Sequence, residues 1–440
     1  MKHKVLNILF WSILSAAFIG PGTITTAAKA GASYGYSLLW ALAFSTFACL
    51  VLQEAAARLS IVSNKSLGRA IAEKYRNKKG GWIIFVLVTG AIIIGSAAYE
   101  TGNLIGAAEG IKIVDPFNPV LWVILIATTA ALALLFPRLQ VLARALGILV
   151  VLMGIVFLIT ALLLKPDLSE ILKGEFIPYF PQGSAMLILA LVGTTVVPYN
   201  LFLGSGVADK SQSISDMHFG LAVAIILGGI ISMAVLVVGA SVEGTFSFEA
   251  LAHALSSKLG HWAVWFFGFG LFAAGFSSAI TAPLASALTA RDLFQKKEAQ
   301  KWNNKGIYFK LTWGFVLATG LFFGTIGLKP IPAIIAAQAL NGLILPFISI
   351  FLWFAVNDVY LMKTAYMNST TGNVFYGAVV WITLLLGVQN LVNAFSKAMV
   401  PGFWQSQLYY FLLLTITFII TALIFYGLYR KRKAEKNRNE

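Results

Sequence analysis

Four short stretches of an otherwise apolar chain carry side chains able to do chemistry. Gly20-Pro21-Gly22-Thr23 joins a residue that lacks an amide hydrogen to two with unrestricted backbone, so a helix is interrupted there and its polar ends are left open. The stretch Val192 to Ser205 holds Pro198, with Thr194, Val197, Tyr199 and Asn200 around it. Glu100 and Asn103 stand one helical turn apart, and so do Gln338 and Asn341. Hydroxyls, carboxamides and freed carbonyls are neutral oxygen ligands and hydrogen-bonding groups, suited to recognising a small ion or polar solute. A carboxylate inside an apolar segment is expensive, so Glu100, with Asn103 beside it, is a candidate for proton or ion coupling; neutralisation by a neighbouring Lys is the structural alternative. Lys29 and Glu54 are the other charges to place. Glu54 and Arg58, four apart, read as a local ion pair or as part of an inner gate.

The background to these residues decides the class. Of 440 residues, 59% are hydrophobic and 11% charged, and the mean hydropathy is +0.83, which describes a polytopic membrane protein and not a soluble domain. One cysteine excludes a disulfide framework, and the 4 histidines show no zinc-like spacing. Gly268-Phe-Gly270 lacks the strand and acidic residue of a dinucleotide site. No enzymatic activity and no cofactor are expected. The net charge of +15 follows the membrane topology: most Lys and Arg fall on the side of the amino terminus, which places both termini in the cytoplasm and removes any need for nucleic acid.

Apolar runs of bilayer length number twelve, centred near Ala17, Ser45, Ile93, Ile126, Val151, Val192, Ile226, Ala274, Val316, Pro346, Leu384 and Ile419. Met1 to Ile19 has the outline of a secretory signal, but cleavage would destroy the break at Pro21, so it reads as a retained first span. The loop Asn64 to Gly81 has the spacing of a short amphipathic helix lying on membrane lipid, and Gly239 to His261 reads as another short helix on the opposite side. Ser277, Ser278 and Thr281 in the eighth span read as hydroxyls bonded back to their own helix. Prolines interrupting spans one and six, in corresponding places, are the mark of inverted-repeat transporters whose substrate binds between the broken pieces. The expected architecture is a single all-α transmembrane domain over residues 1–440, with repeats at 7–165 and 184–356 and extra helices at 374–430.

Gly20-Pro-Gly-Thr23, Ala30-Gly-Ala-Ser-Tyr-Gly-Tyr36, Gln53, Asn64-Lys-Ser-Leu67, Val197-Pro-Tyr-Asn-Leu201 and Ala337-Gln-Ala-Leu-Asn-Gly342 together resemble the natural resistance-associated macrophage protein family of proton-coupled divalent metal transporters. The resemblance covers most of the first ten spans and implies a leucine-transporter-type five-plus-five inverted repeat with helices 1 and 6 broken. It also implies where the chemistry departs. The family's first-helix Asp and Asn correspond to Gly20 and Thr23, its sixth-helix Met to Val197, and a His further along that helix to Gly204. Its acidic pair in the third helix corresponds to Glu100 and Asn103, and Lys29 stands where a neutral residue is expected.

Loss of the soft sulfur removes the preference for Mn²⁺ or Fe²⁺ over hard cations. Thr23, Asn200 and Gln338 are left as neutral oxygen donors, suited to weak binding of an ion such as Mg²⁺. The sequence therefore points to a secondary transporter in a bacterial inner membrane, moving a hard divalent cation. A carrier of a small organic or anionic solute, held at the positive ends of the broken helices, is the alternative; a membrane sensor that keeps the fold without transport is a third.

Overall fold

Proline and glycine positions set the helix boundaries in the computed structural model, which describes residues 19–115, 117–136, 140–207, 212–295, 298–396 and 407–436. Extended Gly20 precedes α1 (Pro21–Tyr34), which Gly35 ends at a φ of +56°. The retained signal-like segment expected before it lies outside the described residues. Asn64, also left-handed, closes α2 (Leu39–Ser63), and the Ser66 hydroxyl accepts from Arg69 N to cap α3 (Leu67–Tyr75). Next come α4 (Gly81–Lys112), α5 (Pro119–Leu135), α6 (Gln140–Leu163) and α7 (Leu168–Phe176). Span six is two helices, α8 (Ala185–Thr195) and α9 (Pro198–Val207). The chain continues through α10 (Ile214–Gly239), α11 (Phe248–Leu259), α12 (Trp262–Phe294), α13 (Ala299–Trp302), α14 (Ile307–Thr325) and α15 (Pro330–Val356). It closes with α16 (Val359–Tyr366), α17 (Thr370–Ser396) and α18 (Gln407–Lys436).

Among the described residues ten helical segments are long and apolar enough to cross a membrane and α5 is a shorter apolar helix; α1 falls within the expected first span, the rest of which lies outside the described residues. The two short amphipathic helices expected in the loops are α3 and α11. No strand occurs among the described residues.

Small residues let the central helices approach to backbone contact. A Cβ at Gly31 of α1 would lie 2.0 Å from Leu236 O of α10, and one at Gly239 of α10 would lie 2.2 Å from Ala28 O of α1. Without a hydrophobic drive between helices in lipid, such dispersion contact is what holds them together. Large apolar side chains of α5 and α18, such as Leu125, Phe411 and Phe418, point outward, as lipid-facing residues must.

At the α3–α16 end a buried polar network ties the last two spans to this body. Asn373 Oδ1 accepts from Trp353 Nε1 at 2.8 Å, from Asn357 Nδ2 at 2.9 Å and from Asn368 Nδ2 at 3.1 Å. Asp358, 4% exposed, pairs with Lys74 of α3 and Lys431 of α18, each at 2.9 Å. Burial alone would raise its carboxyl, but the hydrogen bonds and charges of Lys74 and Lys431 outweigh it and hold the group below the usual carboxylate range. A depressed folded pKa contributes stability that is present above the unfolded value of about 3.9 and lost as pH falls through the folded one. The melting temperature of the wild type is therefore expected to drop on acidification from pH 6 towards pH 3 more than that of Asp358→Asn, by on the order of a few degrees in detergent.

Candidate functional site

The start of α1 and the break in span six face each other. Pro21 opens α1 behind extended Gly20, so the first amides of that helix have no intrahelical acceptor. Span six stops at Thr195, turns through Val196 (φ −104°, ψ 83°) and resumes at Pro198, which leaves the carbonyl end of α8 beside the amide end of α9. Thr23 Oγ1 and Thr194 Oγ1 meet across the breaks at 3.0 Å.

Three further helices close around this point. The carboxamide of Gln338 from α15 fills the space over Gly22, where a Cβ would lie 2.3 Å from Nε2. Pro21 packs into the hollow at Gly106 of α4, where a Cβ would lie 2.2 Å from the proline Cβ. The Cβ position of Gly20 lies 3.6 Å from Ser278 Oγ of α12 and 3.9 Å from the Tyr99 hydroxyl of α4. Tyr99 meets Tyr199 of α9 edge-on, with ring centroids 5.4 Å apart.

Buried polar atoms without partners mark the cluster. Asn200 is 2% exposed, and neither its Oδ1 nor its Nδ2 has a hydrogen-bond partner among the described residues; Gln338 Oε1 is in the same position. A buried unsatisfied polar group costs roughly 1–3 kcal/mol, so such groups beside the start of α1 and the break in span six are the arrangement expected of a site that a ligand completes. Its donors are neutral: among the described residues no three His, Cys, Asp or Glu side chains come together as a metal cage.

The remaining sequence candidates fall at different distances from this cluster. Val197 is fully buried between α8 and α9. Asn341, one turn from Gln338, gives its Nδ2 to Ala337 O at 3.2 Å and to Gly95 O at 3.4 Å, so that amide group is committed to holding α15 against α4. Glu100 is completely buried, but on another face of α4: Gly102 and Gly106 meet α15 and α1, whereas Glu100 packs on Gly320 of α14. Asn103 Nδ2 donates to Glu100 Oε2 at 3.3 Å, and Oε1 has no partner among the described residues.

Glu54 belongs to the α3–α16 end. It holds Arg58 through both oxygens, at 2.6 and 3.1 Å, and His218 of α10 at 2.9 Å, while Arg58 reaches Tyr366 O and Asn368. These groups line a cavity of about 440 Å³ that shares no residue with the central cluster. Lys29 lies two turns beyond Gly22 on the same side of α1, partly exposed, with its ammonium 5.9 Å from the ring centroid of Phe246.

Tyr99 and Ser278 are members of the cluster that the sequence reading did not select. Ser277 and Thr281 do bond back to their own helix, at 3.1 and 3.3 Å, but Ser278 turns to the break. Tyr99 shares a helical face with Gly95, Gly102 and Gly106, and that row of small residues was the available signal for the side of α4 that receives α1 and α15.

A model of the family described as natural resistance-associated macrophage protein-like matches residues 12–393. The divalent metal cation transporter MntH of Klebsiella pneumoniae is 24% identical over 343 residues, covering 74% of this chain and 80% of its own length. A crystal structure of the Eremococcus coleocola manganese transporter superposes with a TM-score of 0.65 at 20% identity, covering 97% of this chain and 94% of that one. Mhp1, a nucleobase-cation-symport-1 family transporter, superposes at 0.56 with 16% identity, covering 97% and 93%. The shared architecture is the leucine-transporter type.

Proposed function

The chain belongs to the natural resistance-associated macrophage protein-like family, and from that premise we propose that it is a secondary active transporter that carries a hard divalent cation such as Mg²⁺, without the preference for Mn²⁺ or Fe²⁺ that a sulfur ligand confers. The observation that carries this reading is that, among the described residues, the buried Asn200 amide and Gln338 Oε1, by the break in span six and the start of α1, have no hydrogen-bond partner. Thr23, Thr194, Gln338 Oε1, Asn200 Oδ1 and the last carbonyls of α8 supply the oxygen ligands that such an ion takes. An ion that retains part of its water shell also satisfies Asn200 Nδ2, because a bound water can accept the amide hydrogen. With no sulfur and no carboxylate among these donors, binding is weak and transition metals gain no advantage.

The repeats at 7–165 and 184–356 move relative to each other around this point. The basic α3–α16 end faces the cytoplasm, with both termini there, in a bacterial inner membrane. Glu100 takes up and releases the coupling proton. Proteoliposomes with a pH gradient test the reading: saturable Mg²⁺ uptake is expected from the wild type, and Glu100→Gln is expected to transport Mg²⁺ down its own gradient while losing acceleration by the pH gradient. Uptake by Glu100→Gln that still responds fully to the pH gradient would remove the coupling role.

A second reading is supported by the amide ends of α1 and α9, which both point into the cluster and favour negative charge. On that reading the substrate is a small zwitterionic or anionic solute whose carboxylate sits at these ends. Saturable uptake of such a solute, with no Mg²⁺ flux in its presence or its absence, would favour it.

A further inference from the structure

Between the central cluster and the α7–α11 end, α1 carries one positive charge, Lys29, apart from the Lys112, Glu109 and Glu249 group at that end. Gly22, Thr26, Lys29 and Ser33 follow one another at spacings of four, three and four residues and so lie on one side of α1. Gly22 is the cluster itself, in contact with Gln338. Lys29 is seven residues further along, about 10 Å of helical rise, and Ser33, one turn beyond, is exposed. The Lys29 ammonium makes no ion pair among the described residues and lies 5.9 Å from the ring centroid of buried Phe246, just before α11. An aromatic ring attracts the cation without cancelling its charge.

We infer that Lys29 is a charge filter: it sets a positive potential over the mouth of the central cluster, lowers its occupancy by dications arriving from the α7–α11 end, and makes that end the weaker-binding side of the carrier. The potential itself is independent of what is carried; its effect on dication affinity rests on the proposed function. Two unit charges on an ion about 10 Å from one on Lys29 amount to roughly a fourfold change in affinity at the dielectric of water, and more where the walls are apolar.

The test separates potential from transport. Ser33→Cys protein in nanodiscs is labelled with a cationic and with an anionic methanethiosulfonate reagent at low salt, with and without Lys29→Met. The sole native cysteine, Cys49, is buried, so the wild type gives the background. The ratio of anionic to cationic labelling rates is expected to fall about tenfold when Lys29 is neutralised, given a charge separation of about 6 Å, and the fall is expected to vanish in 1 M salt. In proteoliposomes Lys29→Met is expected to lower KM for Mg²⁺ added at the α7–α11 side about fourfold or more, leaving KM at the opposite side unchanged. An unchanged labelling ratio would overturn the filter. A changed ratio with no Mg²⁺ flux from any variant would keep the filter and remove the dication as substrate.

Discussion

Protein carrying Gly193→Ala is expected to be recovered largely misfolded or to melt far below the wild type. A Cβ at this position of α8 would lie 2.1 Å from Gln338 O and 2.5 Å from Gly342 N of α15. Both obstacles are backbone atoms in a helix, so no rotamer change can relieve the overlap; α8 and α15 must separate. Overpacking of a rigid contact costs about 3 kcal/mol or more. The two displaced helices carry Thr194 and Gln338, so any protein that does fold should transport poorly. Gly90→Ala is the control, because its Cβ would meet nothing within 4 Å. Size-exclusion profiles after detergent extraction and thermal melts of both variants make the comparison; a Gly193→Ala melting temperature equal to that of Gly90→Ala would contradict the contact.

Substitutions at the cluster should act on affinity and not on folding. Asn200→Ala removes a buried amide whose two polar atoms have no partner among the described residues, so the empty protein should be as stable or more so. Affinity moves the other way: losing one or two ligand contacts of about 1.4 kcal/mol raises KM for Mg²⁺ roughly tenfold or more. Asn200→Ala combined with Thr23→Ala should approach a hundredfold on the same scale. Asn200→Asp inverts the sign, since a carboxylate beside the ion strengthens binding of any dication. If Asn200→Ala and Asn200→Asp leave KM where it is, the ion does not meet this side chain.

Proline chemistry explains why so much of the architecture is legible in the chain. Pro21 and Pro198 have no amide hydrogen to give, so α1 starts on the first and span six is interrupted before the second, and span length does the rest. Amphipathic spacing likewise announces α3 and α11. The orientation of the second half of α4 is not legible in this way, because residues 99–110 are all buried and leave no apolar stripe to indicate which neighbour each faces. Glu100 draws attention as a carboxylate within an apolar stretch, yet it packs towards α14, while Tyr99, one residue earlier, faces the break. The Asn357, Asn368 and Asn373 network joins a helix end, a turn and the next helix, and no local periodicity connects such positions. Lys29 is legible as a misplaced charge, but its neighbour Phe246 lies more than two hundred residues away in sequence and only the fold brings them together.

The most direct measurement is the competition of Mg²⁺ and Mn²⁺ for uptake into proteoliposomes containing the purified wild-type protein, read as the ratio of their kcat/KM values. A cluster of neutral oxygens with no sulfur predicts saturable uptake of Mg²⁺ and a ratio within about tenfold of unity. A hundredfold preference for Mn²⁺, or no flux of either ion through protein shown to be folded, would contradict it.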